Sequence, residues 1–265
     1  MGHRVWGEMT TTDFAGLADG AVAVLPIGAL EQHGPHLPLD TDTTIVEGVV
    51  AAALARLDPA VVALLLPTQT LGASIEHEGF PGTVSLSPDL LMRIWVQIGM
   101  AVAAAGVRRL VIVNGHGGQP EVMALAAREL RVRAGLLVVS ANWFDFGEPP
   151  GLIPPAERRF GIHGGLIETS VMLHLAPHKV RTAAFADFPS AVQDWAVRFP
   201  ALAGTRTRLA WASQDLHPSG AVGDPRAANA SLGAALVEHA AEGLSRLIGE
   251  AALFPLAALR PGRPD

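Results

Sequence analysis

Residues Arg109–Ser140 read RLVIVNGHGGQPEVMALAARELRVRAGLLVVS. The apolar, β-branched start predicts a buried strand over Arg109–Val113, because such side chains suit a surface covered on both faces. The loop NGHGG breaks that run, Pro120 suits the first position of a helix reaching to about Val132, and Leu136–Ser140 supplies another strand. Strand, loop, helix and strand in succession is the unit of a parallel sheet with helices on its faces.

The alternation continues outward in both directions. Ala21–Ile27 (AVAVLPI) and Val61–Leu66 (VVALLL) predict two more buried strands. Between them Thr44–Leu57 reads as a helix, with Thr44 and Glu47 at capping-box spacing. Gly72–Phe80 is a loop and Gly82–Leu86 a short extended piece. Ser87 caps a helix with Pro88 at its first position, and Leu91, Ile94, Trp95, Ile98 and Val102 form its apolar face. Ala141–Phe160 is irregular, rich in Pro, Gly and aromatics, and is a candidate lid. Gly165–Leu175 is helical, Val180–Phe185 and Arg206–Trp211 are candidate strands, and Asp224 with Pro225 opens a last helix to about Ile248. The tail LRPGRPD is expected to be loose. The absence of internal repeats or dividing linkers points to one α/β domain over residues 1–265.

Composition narrows the function. With 49% hydrophobic and 17% charged residues the chain has the makings of a substantial core. A net charge of −6 argues against a nucleic-acid partner or an anionic membrane surface. No apolar run reaches membrane-spanning length, and the start, MGHRVWGEMTTTDF, lacks the apolar core of a signal peptide. The chain has no cysteine, which fits a cytoplasmic location and rules out a thiolate zinc site.

Unusual polar residues gather where the strands end, and in α/β sheets sites form at the carboxyl ends of strands. VLPIGALEQHGPHLPLDTDTT, Val24–Thr44, brings Glu31, His33, His36, Asp40 and Asp42 directly after a strand. Carboxylates and imidazoles are side chains that bind divalent metals through oxygen and nitrogen, while a single histidine here reads more readily as a hydrogen-bonded structural residue. Glu31 and His33 are two apart, so an extended backbone points both to one side. Asp42 precedes a helix and is open to an N-cap role, although Thr44 and Glu47 offer that helix another cap. His116 is flanked by glycines that permit close approach of the backbone to a ligand. A phosphate loop is the rival there, but the GxGxxG spacing and a P-loop Lys are missing. Glu168 sits in the otherwise apolar GIHGGLIETSVMLHL beside His163; it suits either a metal or the dipole of its own helix. Glu76 and His77, in EHEGFPGT, add further acid–base groups. His174, His178, His217 and His239 read as structural or surface residues.

Five motifs in this order, PIGALEQHGPHLPLDTD, EHEGFPGTVSLS, VNGHGG, HGGLIETS and PSGAVGDPRAA, resemble the creatininase (creatinine amidohydrolase) family over nearly the whole chain. The resemblance implies a three-layer α/β/α fold with a mostly parallel sheet and a homo-oligomer, often a hexamer. It implies two divalent metal ions per chain (zinc, manganese or iron) and hydrolysis of a C–N bond in a small amide, cyclic amide or formamide by metal-activated water. Carried over, Glu31 and His33 each bind one metal, Asp42 bridges the two, His116 completes one shell, and Glu168 supplies the remaining carboxylate. His163 transfers a proton, and Glu76, His77, Gly117 and Gly118 line the substrate. The creatinine-hydrolysing enzyme has an aromatic and a Glu ligand where Gly117 and Gly118 stand, and a Trp-Asp pair where Arg159 and Phe160 stand. Creatinine is therefore not the expected substrate. Branches sharing the GHGG form include a formamide hydrolase of flavin-type biosynthesis and a peptidase of redox-cofactor maturation. A non-hydrolytic metal- or nucleotide-binding protein is the competing class.

Overall fold

A computed structural model describes residues 3–203 and 209–260. One five-stranded sheet is built from β1 (His3–Val5), β2 (Val22–Ile27), β3 (Ala63–Leu65), β4 (Arg109–Asn114) and β5 (Leu137–Asn142). Its spatial order is β1-β3-β2-β4-β5 and every pairing is parallel. The α-helices in chain order are α1 (Thr41–Ala55), α2 (Pro88–Ala104), α3 (Pro120–Arg133), α4 (Pro155–Phe160), α5 (Leu166–Leu175), α6 (Val192–Arg198), α7 (Ser213–Leu216) and α8 (Ala230–Leu253).

Strand periodicity sorts the core into two halves. Val22, Val24, Val111 and Val113 point to one face and pack with Val46 and Val49 of α1, Val171 and Met172 of α5, and Leu236 and Leu244 of α8. Ala23, Leu25, Ile27, Leu110 and Ile112 point to the other, against Trp95 of α2 and Met123 and Leu130 of α3. This is a three-layer α/β/α arrangement. No helix among the described residues is long and apolar enough to cross a membrane.

Several boundaries differ from the sequence expectation for local reasons. Helix α1 begins three residues before Thr44, whose N–H already donates to Asp40 C=O (2.9 Å) as an ordinary intrahelical bond, so Thr44 and Glu47 form no capping box. Asp42 is consequently the second residue of the helix and not a residue preceding it. Val180–Phe185 is no strand: Arg181 N–H donates to His36 C=O (2.9 Å) and Thr182–Ala184 closes a 3₁₀ turn. Asp224 caps only the short turn Pro225–Ala227; Asn229 caps α8, accepting from Leu232 N–H (2.9 Å). Of the Arg206–Trp211 candidate strand, 206–208 lies outside the described residues and Leu209–Trp211 carries no strand, and 261–265 of the tail also lies outside them. The irregular Ala141–Phe160 segment holds the end of β5, a 3₁₀ turn at Trp143–Phe146, and α4. The exposed edge strand β1 left no apolar run to read.

Two features aim the strand ends. In register, Ile27 lies beside Asn114, and Asn114 beside Asn142, so the loops after β2 and β4 start level. Gly115 then lets α1 press onto that edge, since a Cβ there would sit 2.4 Å from the Asp42 carbonyl oxygen.

At the opposite edge Arg109 is buried at the start of β4, and its guanidinium donates to the carbonyls of Ala251 (2.9 Å), Phe254 (3.1 Å) and Asp19. Two of those carbonyls belong to the carboxyl end of α8, where a cation suits the helix dipole. Arg109→Met keeps the stem but strands the carbonyls, and urea unfolding should show a loss of about 1–3 kcal/mol; an unchanged midpoint would remove the clamp from the account.

Candidate metal centre

Glu31, His33, Asp42 and His116 are buried, and Glu168 is the most accessible carboxylate of the group, with its side chain 17% exposed. The loop after β2 delivers Glu31 and His33, the first turn of α1 delivers Asp42, the loop after β4 delivers His116, and the first turn of α5 delivers Glu168. Asp42 stands in the middle: Oδ1 is 3.2 Å from His33 Nε2 and Oδ2 is 3.4 Å from His116 Nδ1. Glu31 Oε2 is 3.2 Å from His116 Nδ1, and Glu168 Oε2 is 4.0 Å from His33 Nε2. Ligand atoms of Glu31, Asp42 and His116 lie within 4.8 Å of one another, as do those of His33, Asp42 and Glu168, and those of Glu31, His33 and His163.

The imidazoles are oriented from behind. His33 Nδ1 donates to the Glu31 carbonyl (3.1 Å) and His116 Nε2 to the Ala73 carbonyl (3.0 Å), which turns the other nitrogen of each ring toward the carboxylates. A backbone carbonyl behind a metal-binding histidine fixes its tautomer in this way. Asn114 holds the His116 loop, accepting from His116 N–H (3.0 Å) and donating to Asn142 Oδ1 (2.8 Å). Gln119 ties that loop to Gly28 C=O (3.1 Å) and to Ala73 N–H (3.1 Å).

Whether this set suits cations can be judged from its own atoms. Both Glu31 oxygens, Asp42 Oδ2 and His33 Nε2 are buried with no hydrogen-bond partner among the described residues. Stranded carboxylate oxygens cost several kcal/mol each unless a positive charge meets them. Protons fill part of that need in the metal-free chain. Burial resists charging of His33, but Asp42, Glu168 and Glu31 outweigh it and push its pKa up to about 10. His116 is likewise raised well above the ordinary value, with Glu31 and Asp42 overcoming its burial. Burial lifts Glu168 to about 7, so this carboxyl too holds a proton more readily than usual. Oxygen and nitrogen donors converging on orphaned carboxylate atoms fit divalent metals.

His163 behaves differently. Burial first, and the neighbouring His33 second, hold its pKa well below the ordinary value. Its Nε2 donates to Gln32 C=O (2.7 Å), leaving Nδ1 to face Glu31 Oε1 at 3.7 Å. His77 is also kept neutral by burial, at about 4, with Nε2 3.4 Å from Glu31 Oε1. Its Nδ1 meets Ser213 Oγ and Gln32 Nε2, each at 2.7 Å. Glu76 Oε1 lies 3.6 Å from the outer nitrogen of His116, over Gly118, where a Cβ would come within 1.8 Å of it. Gly117 is exposed with open space around it. The ten residues for which the sequence suggested a metal, proton-transfer or substrate role thus gather at one edge of the sheet. His36 and Asp40 lie outside the cluster: His36 donates to Gly164 C=O (2.8 Å), and Asp40 pairs with Lys179 (2.6 Å). Sequence reasoning missed Gln32, which sits inside the first motif, Gln119, which directly follows the GHGG motif, and Ser213, which lies far along the chain from His77. Two cavities of about 300 and 380 Å³ near the opposite edge, beside Ala21 and Arg109 and beside Arg4 and Val62, hold none of these groups.

The family model for creatininase, described as creatinine amidohydrolase, matches residues 7–248. A mycofactocin precursor peptide peptidase from Mycolicibacterium smegmatis is 40% identical over 61% of this chain, and the match spans 60% of that peptidase's own length. A creatinine amidohydrolase from Pseudomonas putida is 35% identical over 70% of this chain and 76% of its own. Among solved structures, a mutant creatininase of Zn-Zn type is 30% identical and superposes with a TM-score of 0.74, covering 93% of this chain and 97% of the other.

A cation taken up by His33 and His116 would have to displace the protons they hold. Calorimetric titration of the metal-free chain with zinc at pH 7.5, in buffers of different ionisation heat, should count about one released proton per histidine. Affinity should weaken as pH falls, by up to about tenfold per unit for each displaced proton. Proton-free, pH-independent binding would locate the metal elsewhere.

Proposed function

The chain belongs to the creatininase family, and we propose that it is a metal-dependent hydrolase of an amide C–N bond, working as one domain over residues 1–265. The observation that carries this reading is the convergence of the buried, unpartnered Glu31 oxygens and Asp42 Oδ2 with the inward-facing ring nitrogens of His33 and His116. Two divalent cations, zinc, manganese or iron, are the proposed occupants. Glu31 and His116 would hold one, His33 and Glu168 the other, and Asp42 would be shared between them. When bound, such a pair lowers the pKa of water and polarises a carbonyl oxygen.

The remaining chemistry is a proton problem, because an amide nitrogen leaves poorly unless it is protonated. His163 is suited to that task. It is held neutral, its Nε2 proton is committed to the Gln32 carbonyl, and Nδ1 is the atom that faces the cluster. His163 takes a proton at Nδ1 from the attacking water and returns it to the departing nitrogen. Glu76, His77, Gly117 and Gly118 line the approach, and the open space at Gly117 receives the substrate. The Ala141–Phe160 segment, which carries α4, shields the reaction from bulk water.

The substrate proposed first is a small amide, cyclic amide or formamide. A peptide is the second reading, favoured by the 40% identity to a precursor peptide peptidase. Creatinine itself is not the cyclic amide proposed, because Arg159 and Phe160 stand where the creatinine-hydrolysing enzyme has the pair that holds it. The protein is further proposed to be cytoplasmic and to form a homo-oligomer.

A screen of the zinc-, manganese- and iron-loaded protein against lactams, formamides, creatinine and short peptides separates these readings. Turnover of one amide class, abolished by a chelator, is expected; no turnover of any class with full metal loading would sink the hydrolase reading. Asp42→Ala should lose both metal and activity, and full occupancy by elemental analysis would refute its shared role. His163→Ala should keep the metal and lower kcat by roughly 10²–10⁴-fold. Loss of metal from that variant would put His163 among the ligands instead.

A further inference from the structure

Glu157 is a partly buried acid that the hydrolytic reading leaves without a task. It lies on α4, and burial raises its carboxyl above the usual glutamate value despite two backbone donors that lower it. Leu166 N–H donates to Oε1 (2.6 Å) and Asp224 N–H to Oε2 (3.1 Å). These donors belong to two segments that pair just before they part. His163 N–H donates to Val222 C=O (3.2 Å) and Val222 N–H to His163 C=O (2.6 Å). Past that pair, one segment enters α5 and the other enters the turn at Pro225. The carboxylate spans the gap where they separate.

The surrounding chain is cut to fit it. A Cβ on Gly161, Gly165 or Gly223 would come within 2.2, 2.2 or 2.7 Å of the Glu157 carboxyl atoms. Both proposed functional groups nearby depend on the clamped segment. His163 lies in its paired stretch, while Glu168 rides on the first turn of α5 and accepts from Gly164 N–H (2.6 Å).

We infer that Glu157 is a positioning residue, whose carboxylate holds Leu166 and Asp224 together and so sets His163 and Glu168 against the metal centre. This rests on the proposed function for the roles of those two groups. A plain helix cap would act on stability alone, whereas a positioning clamp acts on metal affinity and on kcat, because a shift of about 1 Å in a reacting group costs up to about a hundredfold.

The test compares the full-length protein with Glu157→Ala and Glu157→Gln by hydrogen exchange, by zinc titration against a chromophoric chelator, and by kcat and KM on whichever amide is turned over. In Glu157→Ala, exchange over 161–170 and 220–226 should quicken while the sheet stays protected. Zinc should bind about tenfold more weakly, and kcat should fall about tenfold or more with KM within about twofold. Glu157→Gln keeps one acceptor oxygen for Leu166 N–H and should recover part of each loss. Quickened exchange with wild-type zinc affinity and wild-type kcat would reduce Glu157 to a cap and overturn the inference. If the wild type hydrolyses nothing, the proposed function fails, and unchanged zinc affinity in Glu157→Ala then decides against the clamp by itself. Should Glu157→Ala not fold, Gly165→Ala applies the same test, since its methyl would displace the carboxylate from a chain that still carries it; wild-type zinc affinity there would equally overturn the clamp.

Discussion

Glu31 puts two carboxylate oxygens into a space closed to water, where no backbone or amide donor among the described residues meets either. A charge in that position is tolerable only if positive charge is brought to it, and much of the surrounding architecture does that. His116, His77 and His163 each turn a ring nitrogen toward Glu31, at 3.2, 3.4 and 3.7 Å. The carbonyls of Ala73 and Gln32 stand behind His116 and His163 and dictate which nitrogen faces inward. The centre is therefore prepared electrostatically for cations before any arrives, with protons on His33 and His116 standing in for them.

The sheet explains why such a concentration of charge occurs at one edge. In an all-parallel sheet every strand ends on the same side, and the helices that follow start there, presenting their positive ends. Asp42 is the second residue of α1 and Glu168 the third of α5, so both carboxylates lie in first turns where the dipole helps to stabilise them. The reading of Glu168 as a helix carboxylate and its reading as a cluster member are compatible: one side chain occupies a first turn and lies 4.0 Å from His33.

Periodicity and the positions of glycine and proline made the repeating parts legible. The central strands and the helices following Pro88 and Pro120 appear in the sequence as apolar runs with clear stops, because burial on both faces demands such runs. Segments whose form depends on distant partners were not legible. Val180–Phe185 has strand-like composition, yet Arg181 binds the His36 carbonyl and the segment turns instead. Asp224 and Pro225 form a sound helix start in isolation, but the chain completes a separate turn before Asn229 begins α8. At the site, residue types and strand-end positions identified the histidines and acids. Gln32, Gln119 and Ser213 escaped because a neutral hydrogen-bonding side chain announces nothing until its partner is known.

The pair Gly117–Gly118 gives the molecule its particular dependence on long-range order. An acid next to His116 would be fixed by the same short loop that fixes the histidine. With glycine there, the carboxylate nearest His33 besides Asp42 and Glu31 comes from α5, so the geometry of the centre depends on how α5 is docked. That docking is held at several points near its first turn. His36 donates to the Gly164 carbonyl, Val222 pairs with His163, and Asn229 N–H reaches Ser170 Oγ at 3.3 Å. Packing of Val171 and Met172 in the core fixes the helix along its length. A cluster of acids and imidazoles shared between a rigid strand end and a docked helix can alter its spacing through the docking alone, without any change in the residues that make it up.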